Sequence, residues 1–89
     1  MKIYSYNELC NISGANIRTL RRKQGLSQGM LAAKLQVNNV QLEQKAISRI
    51  ECGERLVADY ELLAFAEALN CTVNTLLIIH KDENGQVTD

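Results

Sequence analysis

The fold is decided by a stretch of nine residues, 44–52, which read QKAISRIEC. Placed on a helix, these residues divide into two faces of different chemistry. The mostly apolar face, expected to be buried, consists of Ala46, Ile47, Ile50 and Glu51. The polar face, expected to meet solvent or a partner, consists of Gln44, Lys45, Ser48, Arg49 and Cys52.

The polar face offers an amide, an ammonium, a hydroxyl and a guanidinium group, and it has no acidic residue. These groups hydrogen-bond to base edges and to phosphates. A short helix with such a face is a candidate for insertion into the major groove of DNA, and the rest of the chain has to be consistent with that role.

Composition limits the class of protein. A chain of 89 residues is enough for one small domain, and 46% hydrophobic residues supply a modest core without disulfides or metal. The chain has no Pro and is rich in Ala, Leu, Glu, Lys, Gln and Arg, which favours helices. We therefore expect an all-α protein.

The charges are unevenly distributed although the formal net charge is zero. Residues 1–57 carry nine Lys or Arg and four Asp or Glu, a net charge of +5, whereas residues 58–89 carry one Lys and six acidic residues, a net charge of −5. This division indicates one basic working surface, although chance asymmetry in a small domain remains an alternative.

Cysteine and histidine usage argues against metal and catalytic sites. Cys10, Cys52 and Cys71 are far apart and form no C-x-x-C pair, and His80 is the single histidine. We predict reduced thiols, no metal and no cofactor. Neither a membrane-spanning run nor a signal-peptide pattern is found, so we expect a soluble, cytoplasmic protein.

The first two helices are defined by their ends. Ser13 is a predicted N-cap for a helix that ends near Gln24, where Gly25 marks the C-terminus. Ser27 is the predicted N-cap of a second helix, from Gln28 to about Gln36. The predicted inward positions of these two helices are Ile17, Leu20, Leu31, Ala32 and Leu35.

A connection of seven residues, 37–43, precedes the helix at 44–52, and we expect Val40 and Leu42 to hold it against the core. Asn38-Asn39 is a turn signal, because Asn tolerates left-handed backbone. Glu43 occupies the N-cap position, where its carboxylate is expected to accept from free amides. Gly53 marks the end of this third helix.

Two further helices are predicted towards the C-terminus. Asp59 is the expected N-cap of a helix over Tyr60–Leu69, with a broad apolar face that includes Leu62, Leu63 and Phe65. Thr72 is the expected N-cap of a helix over Val73–His80, and the tail from Lys81 is expected to fray. Four consecutive apolar residues in the last helix exceed what one face can bury, which indicates a second copy or, alternatively, a fully buried terminal helix. They are Leu76, Leu77, Ile78 and Ile79.

Several motifs occur together in a fixed order. They are Gly25-Leu26-Ser27-Gln28, Leu31-Ala32-x-x-Leu35, Ile47-Ser48-Arg49-Ile50-Glu51-x-Gly53-x-Arg55, and Glu61-Leu62-Leu63 through Ala66-x-x-Leu69. This series resembles the helix-turn-helix proteins of the Cro/phage-repressor type, also called the XRE family, over about residues 14–79. The resemblance implies a compact five-helix bundle of the lambda-repressor-like type. We expect an N-terminal extension at 1–13, the DNA-binding domain at 14–80 and a flexible tail at 81–89.

The connection departs from the usual family pattern, which has a tight turn between helices 2 and 3, often with Gly near position 36. Here Gln36 is followed by about five extra residues. Some members look similar in having a longer connection, with a Gly at the position of Asn39 and an Ile at the position of Leu42. The length of the connection, residues 37–43, affects the depth and angle at which the third helix enters the major groove.

The resemblance implies a role for each candidate residue. Base reading is assigned to Gln44, Lys45, Ser48 and Arg49, with a phosphate contact as the alternative for Lys45. Contacts with the DNA backbone are assigned to Gln28, Arg18, Arg22, Lys34 and Arg55. For Gln28, bracing of the first residue of helix 3 is also possible, and for all of these residues the alternative is an ordinary solvent-exposed side chain. For Arg49 the specific alternative is a surface salt bridge to Glu43 or Glu54.

Arg21 and Glu51 are expected to act differently, because the resemblance implies an ion pair that joins helix 1 to helix 3. We predict that this pair is partly buried, bidentate and structural. Leu76, Leu77, Ile78 and Ile79 are the predicted dimer interface.

The leading hypothesis is a sequence-specific DNA-binding transcriptional regulator, acting as a homodimer on double-stranded DNA and repressing transcription. The alternative is a protein-interaction module, such as an antitoxin or adaptor, that uses the apolar C-terminal helix. An enzyme is not expected, since the sequence has no nucleophile–base pair, Gly-rich phosphate loop or metal cluster at recognisable spacing. No small-molecule ligand is predicted.

Overall fold

The structure, a computed structural model, describes residues 6–81 and 87–88. The described residues form five helices: α1 (Gly14–Lys23), α2 (Gln28–Val37), α3 (Gln44–Glu51), α4 (Asp59–Ala68) and α5 (Val73–Leu76). The all-α fold of the lambda-repressor-like type is confirmed. Residues 1–5 of the N-terminal extension, and residues 82–86 and 89 of the tail, lie outside the described residues.

The tail adds one feature to the bundle. Two short strands, β1 (His80–Lys81) and β2 (Val87–Thr88), pair antiparallel, with His80 opposite Thr88. His80 was expected to end the last helix, and the other three strand residues lie in the region that we expected to be a frayed polar tail.

One hydrophobic core connects the helices. It includes the predicted positions Ile17, Leu31, Leu35, Ile47 and Ile50, whereas Leu20, Ala32 and Ala46 are half-buried against it. The connection contributes Leu42, which is buried, and Val40, which is half-buried. The members are Ile17, Leu31, Leu35, Leu42, Ile47, Ile50, Ala64, Phe65, Ala66, Leu69 and Leu76. Leu63 is an exception to the predicted apolar face of α4, because 53% of its surface is exposed.

Four helices end in the same way. The residue after the C-cap has positive φ at Gly25 (70°), Asn39 (61°), Gly53 (76°) and Asn70 (55°). In each case the next amide bonds back across the last turn, for example Leu26 N–H to Arg21 O at 3.0 Å. These are Schellman motifs, which use residues that tolerate left-handed backbone. The predicted stops at Gly25 and Gly53 are confirmed.

The helix starts agree only partly with prediction. Ser27 caps α2 by accepting from Met30 N–H at 3.0 Å, and Thr72 caps α5 by accepting from Thr75 N–H at 3.2 Å. Glu43 occupies the N-cap position of α3, but its side chain makes no cap hydrogen bond, so the expected capping role is wrong. The start of α4 is also different, because Ala58 is the N-cap and Glu61 Oε1 accepts from its amide at 3.0 Å.

α5 is shorter than predicted, ending at Leu76 instead of His80. The reason is a long-range contact: Asn16 Nδ2 donates to Leu76 O at 3.0 Å and to Ile78 O at 2.7 Å. Because these two carbonyls accept hydrogen bonds from the Asn16 side chain of α1, the helix does not continue past Leu76. Leu76 is completely buried in the core, and its assignment to a dimer interface is therefore wrong.

Candidate nucleic-acid interface

α3 is fixed to the core through its inner face. Ile47 and Ile50 are completely buried, and Glu51 is 7% exposed. Arg21 Nε donates to Glu51 Oε2 at 2.7 Å, and a second guanidinium nitrogen donates to Oε1 at 3.0 Å. The bidentate hydrogen bond with Glu51 raises the pKa of Arg21 above its ordinary value, against the opposing effect of burial. The inner face of α3 is therefore held by apolar packing and by one charged pair.

Gln28, expected to contact a phosphate or brace the first residue of α3, lies against the last residue of that helix. Its Nε2 donates to Glu51 Oε1 at 3.1 Å. Gln28 is thus the third donor to the buried carboxylate, after the two guanidinium nitrogens of Arg21. The remaining guanidinium nitrogen, Nη1 of Arg21, donates to Leu26 O at 2.8 Å. Gln28 is half-buried at the α2 N-terminus, where free amides favour an anion.

The outer face of α3 presents the four candidate base-reading residues. Gln44, Lys45 and Arg49 are exposed, and Ser48 is half-buried. Arg49 forms no ion pair within the described part of the chain, and its single recorded hydrogen bond is a long one, 3.5 Å, to Glu54 O. The expected alternative, a salt bridge from Arg49 to Glu43 or Glu54, is therefore not what the structure shows.

Two shallow open grooves flank the start of α3. One, of about 470 Å³, lies towards α2 and is lined by small residues of α2, among them Gly29 and Ala32, and by Gln44. The other, of about 460 Å³, is lined by Lys45, Arg49 and Arg55. Both grooves share the wall formed by residues 41–43. The long connection therefore places Gln41, which is exposed and was not among the predicted site residues, beside the outer face of α3.

The basic residues predicted to contact the DNA backbone are placed in different parts of the surface. Arg18 and Arg22 are exposed and line a cleft of about 200 Å³ on α1 that also includes Glu51. Lys34 is exposed on α2 and lines neither of the two grooves. The predicted backbone contacts thus do not form a single cluster.

Arg55 has a structural partner that sequence reasoning missed. Its guanidinium donates to Glu61 Oε1 at 3.0 Å and Oε2 at 3.1 Å, and also to Leu56 O at 2.8 Å. Burial alone would raise the pKa of the Glu61 carboxyl, but the hydrogen bonds from Arg55 and from the Ala58 amide hold it below its ordinary value. A capping-box signal needs Ser or Thr at the N-cap, and Ala58 occupies that position, so the sequence did not mark Glu61 in this way.

Other kinds of site find no support in the described residues. Residues 6–81 and 87–88 contain no group of three or more His, Cys, Asp or Glu side chains that would hold a metal ion. No helix in this part of the chain is sufficiently long and apolar to span a membrane. Cys10, Cys52 and Cys71 are free thiols, and burial raises the pKa of Cys71.

A model of the helix-turn-helix family matches residues 17–76, which includes α1 from Ile17 and extends to the end of α5. The chain belongs to this family. The match is of the XRE/Cro type, as the motifs indicated, and the proteins of this type that the chain resembles are DNA-binding transcriptional regulators. No curated protein sequence matches the chain.

Solved structures agree with the family. The restriction-modification controller protein C.AhdI from Aeromonas hydrophila is 31% identical, with a TM-score of 0.64 over 72% of this chain and 89% of that one. The P22 c2 repressor in complex with a synthetic operator is 30% identical, with a TM-score of 0.64 over 75% of this chain and 94% of the repressor chain. The DNA-binding domain of BldD is similar in fold, with 24% identity and a TM-score of 0.67 over 83% of this chain and 100% of that one.

Proposed function

We propose that this helix-turn-helix protein is a transcriptional repressor that reads DNA by inserting α3 into the major groove. The observation that carries the proposal is the division of α3 into two sides. Its inner side packs in the core and forms the Arg21–Glu51 pair. On its outer side, Lys45 and Arg49 have no ion-pair partner within the described residues.

The outer side has the chemistry for direct readout. The amide of Gln44 fits the donor and acceptor pair of adenine, and the guanidinium fork of Arg49 fits the two acceptors of guanine. Lys45 and Ser48 add a donor and a small group that allows close approach. The similar P22 c2 repressor was solved with a synthetic operator, which supports DNA as the partner here.

Contacts with the DNA backbone would come from exposed basic residues of α1 and α2. Arg18, Arg22 and Lys34 have accessible charges, and the N-terminus of α2 at Gln28 favours an anion. Arg55 is a weaker candidate for a phosphate contact, because its ion pair with Glu61 already neutralises its charge. Binding should weaken with added salt in proportion to the number of phosphates neutralised.

We further propose that the protein acts as a homodimer in the cytoplasm. Two copies would place their α3 helices in successive major grooves, about 34 Å apart, on a near-palindromic site. The proposed interface consists of Leu77, Ile78 and Ile79 of the predicted set, which are exposed. Leu56, Tyr60 and Leu63 are further exposed apolar residues. Repression would follow from occupation of promoter DNA, without a catalytic step.

A pair of variants tests this function in a mobility-shift assay. Arg49→Ala should reduce the preference for the bound sequence over random DNA, because it removes a base contact worth about 1–3 kcal/mol. Arg18→Ala should weaken binding to all sequences alike and reduce the salt slope by about one unit. If both variants bind like the wild-type chain, α3 is not the reading helix. A wild-type chain that binds no DNA would favour the adaptor hypothesis.

A further inference from the structure

The segment before α1 lies against the C-terminal end of α3. It begins with a two-residue turn, in which Tyr6 and Leu9 exchange backbone hydrogen bonds at 2.8 and 2.9 Å. The Leu9 side chain covers Gly53 so closely that a Cβ there would come within 2.5 Å of it. The next amide, Cys10 N–H, donates to Gly53 O at 2.7 Å. These contacts fix the segment to the residues that follow α3.

Asn11 connects three parts of the chain through one amide group. Its Nδ2 donates to Ile50 O at 3.0 Å and to Arg55 O at 2.7 Å. Its Oδ1 accepts from Gly14 N–H at 2.7 Å, in the first turn of α1. Ser13, at the N-cap position of α1, makes no such bond, so Asn11 takes over the capping of that helix. Both hydrogens of the Asn11 side-chain amide form hydrogen bonds, which fixes the orientation of the amide.

The two helices joined by Asn11 are in close backbone contact. A Cβ at Gly14 would collide with the Ile50 carbonyl, so no side chain fits between the start of α1 and the end of α3. Ile50 O already accepts from Gly53 N–H at 3.0 Å in the Schellman motif that ends α3, and the bond from Asn11 Nδ2 is a second one to the same carbonyl. Asn11 therefore supplies a hydrogen bond at the position where the end of α3 meets α1.

We propose that Asn11 is a positioning residue for DNA recognition, which sets the angle at which α3 presents its outer face. α3 has eight residues, a length of about 12 Å, and its anchors lie on the inner face. Asn11 is a separate anchor at the C-terminal end, held by backbone on both sides. This proposal rests on the proposed function of α3.

The reason that angle matters is the difference between base and phosphate contacts. Bidentate base contacts require the side chain to be held to within about 0.5 Å and 10–20° of the productive geometry. Phosphate contacts made by long basic side chains tolerate larger displacements. Loss of the Asn11 anchor should therefore reduce binding to a preferred sequence more than binding to random DNA, which a purely stabilising residue would not do.

Asn11→Asp tests this positioning role with little change in shape. The carboxylate still accepts from Gly14 N–H, but it has no donor for Ile50 O and Arg55 O and places an oxygen against both. Thr72→Ala is the matched control, because it also removes a cap hydrogen bond, that of α5, and the hydroxyl of Thr72 bonds to Thr75 and not to α3. Affinities for a sequence selected by the wild-type chain and for random duplex are measured at one salt concentration, with the folded state checked by circular dichroism.

We expect the ratio of the affinities for the selected and the random duplex to fall about tenfold in Asn11→Asp, equivalent to the loss of one base contact. The added negative charge weakens binding to both duplexes alike and cancels in this ratio. Thr72→Ala should match the wild-type chain on both. If Asn11→Asp does not fold, Asn11→Ala, which adds no charge, replaces it. The proposal is overturned if the folded variant keeps the wild-type preference, if it loses affinity equally for both duplexes, or if neither variant folds, since Asn11 would then serve stability alone. A wild-type chain without sequence preference would instead contradict the proposed function.

Discussion

Arg21 and Glu51 form the most enclosed charged pair in the described part of the chain, with side chains 10% and 2% exposed. Glu51 receives two hydrogen bonds from Arg21 and one from Gln28. Removal of one partner from a buried pair costs more than the pair contributes, because the other charge is left without compensation. Loss of Arg21 would therefore leave the buried Glu51 carboxylate without its cationic partner.

Arg21→Ala should lower the free energy of unfolding by about 3–5 kcal/mol, because Glu51 then keeps only the Gln28 amide as a partner. Arg22→Ala is the control, since Arg22 is the next residue in the chain and is exposed. Urea unfolding followed by circular dichroism gives both values. Equal midpoints for the two variants would show that the pair is not structural.

The Arg55–Glu61 pair makes stability depend on pH. The Glu61 carboxyl has a lowered pKa in the folded chain, so its contribution is present above the unfolded value of about 4.3 and is lost as the pH falls through the folded pKa. Arg55→Met removes the group that lowers this pKa, and burial then favours the protonated form.

Acid unfolding of Arg55→Met should therefore begin at a higher pH than that of the wild-type chain. Arg49→Met is the control, because it removes a charge of the same kind that has no carboxylate partner. An acid titration monitored by circular dichroism compares the three proteins. If Arg55→Met and Arg49→Met shift the acid midpoint equally, net charge and not the pair determines the change.

At the scale of the element, the termini of the helices were predictable because their signals are local. Ser27, Thr72, Gly25 and Gly53 act within a few residues of their own position, and the structure uses each as expected. Glu43 shows the limit of the same rule, since a residue at the N-cap position need not direct its side chain to the free amides.

The features that the sequence did not reveal depend on residues far apart in the chain. The end of α5 is determined by Asn16, some 60 residues earlier. The support at the end of α3 comes from Asn11, 39 residues before Ile50. Periodicity and cap patterns contain no information about such pairs. The outer face of α3 could therefore be predicted from the sequence, but the contacts that hold the helix in place could be predicted only in part. The Arg21–Glu51 pair was expected only from the family resemblance.

Three glycines give a graded test of the helix ends. Gly25→Ala should cost about 1 kcal/mol, because φ is 70° and no atom lies within 4 Å of the new Cβ, so backbone strain acts alone. Gly53→Ala should cost more, since Leu9 must also move. Gly29→Ala, in α2 where the new Cβ would meet only Ser27 Oγ at an ordinary contact distance of 3.9 Å, should stabilise by about 0.5–1 kcal/mol.

Thermal melts of these three variants give the order of stability directly. The expected order runs from Gly29→Ala, above the wild-type chain, through Gly25→Ala to Gly53→Ala, the least stable. A Gly53→Ala variant as stable as Gly25→Ala would mean that the N-terminal segment does not press on the end of α3.

At the scale of the whole molecule, the apolar surface has to be explained. Leu76 is buried in the core of its own chain, but Ile78 is 52% exposed and Tyr60 is 65% exposed. In a small protein, exposed apolar groups of this size mark contact surfaces when they are contiguous. A two-fold dimer would also pair two reading helices on one DNA duplex.

Ile78→Glu should convert the proposed dimer into a monomer and weaken binding to a two-site DNA, because it places two charges at a self-complementary interface. Val37→Glu is the control, since Val37 is 82% exposed at the end of α2. Size-exclusion chromatography with light scattering measures the mass of each variant. A wild-type chain that is monomeric at all concentrations would rule out the dimer.

The central claim is that the outer face of α3 reads sequence, and selection of bound duplexes from random DNA tests it most directly. The wild-type chain and Arg49→Ala are taken through the same selection and the enriched sequences are compared. We predict a near-palindromic site for the wild-type chain and, for Arg49→Ala, loss of preference at one base pair in each half-site with the remaining positions kept. Identical enriched sequences for the two proteins, or no enrichment by the wild-type chain, would contradict the account.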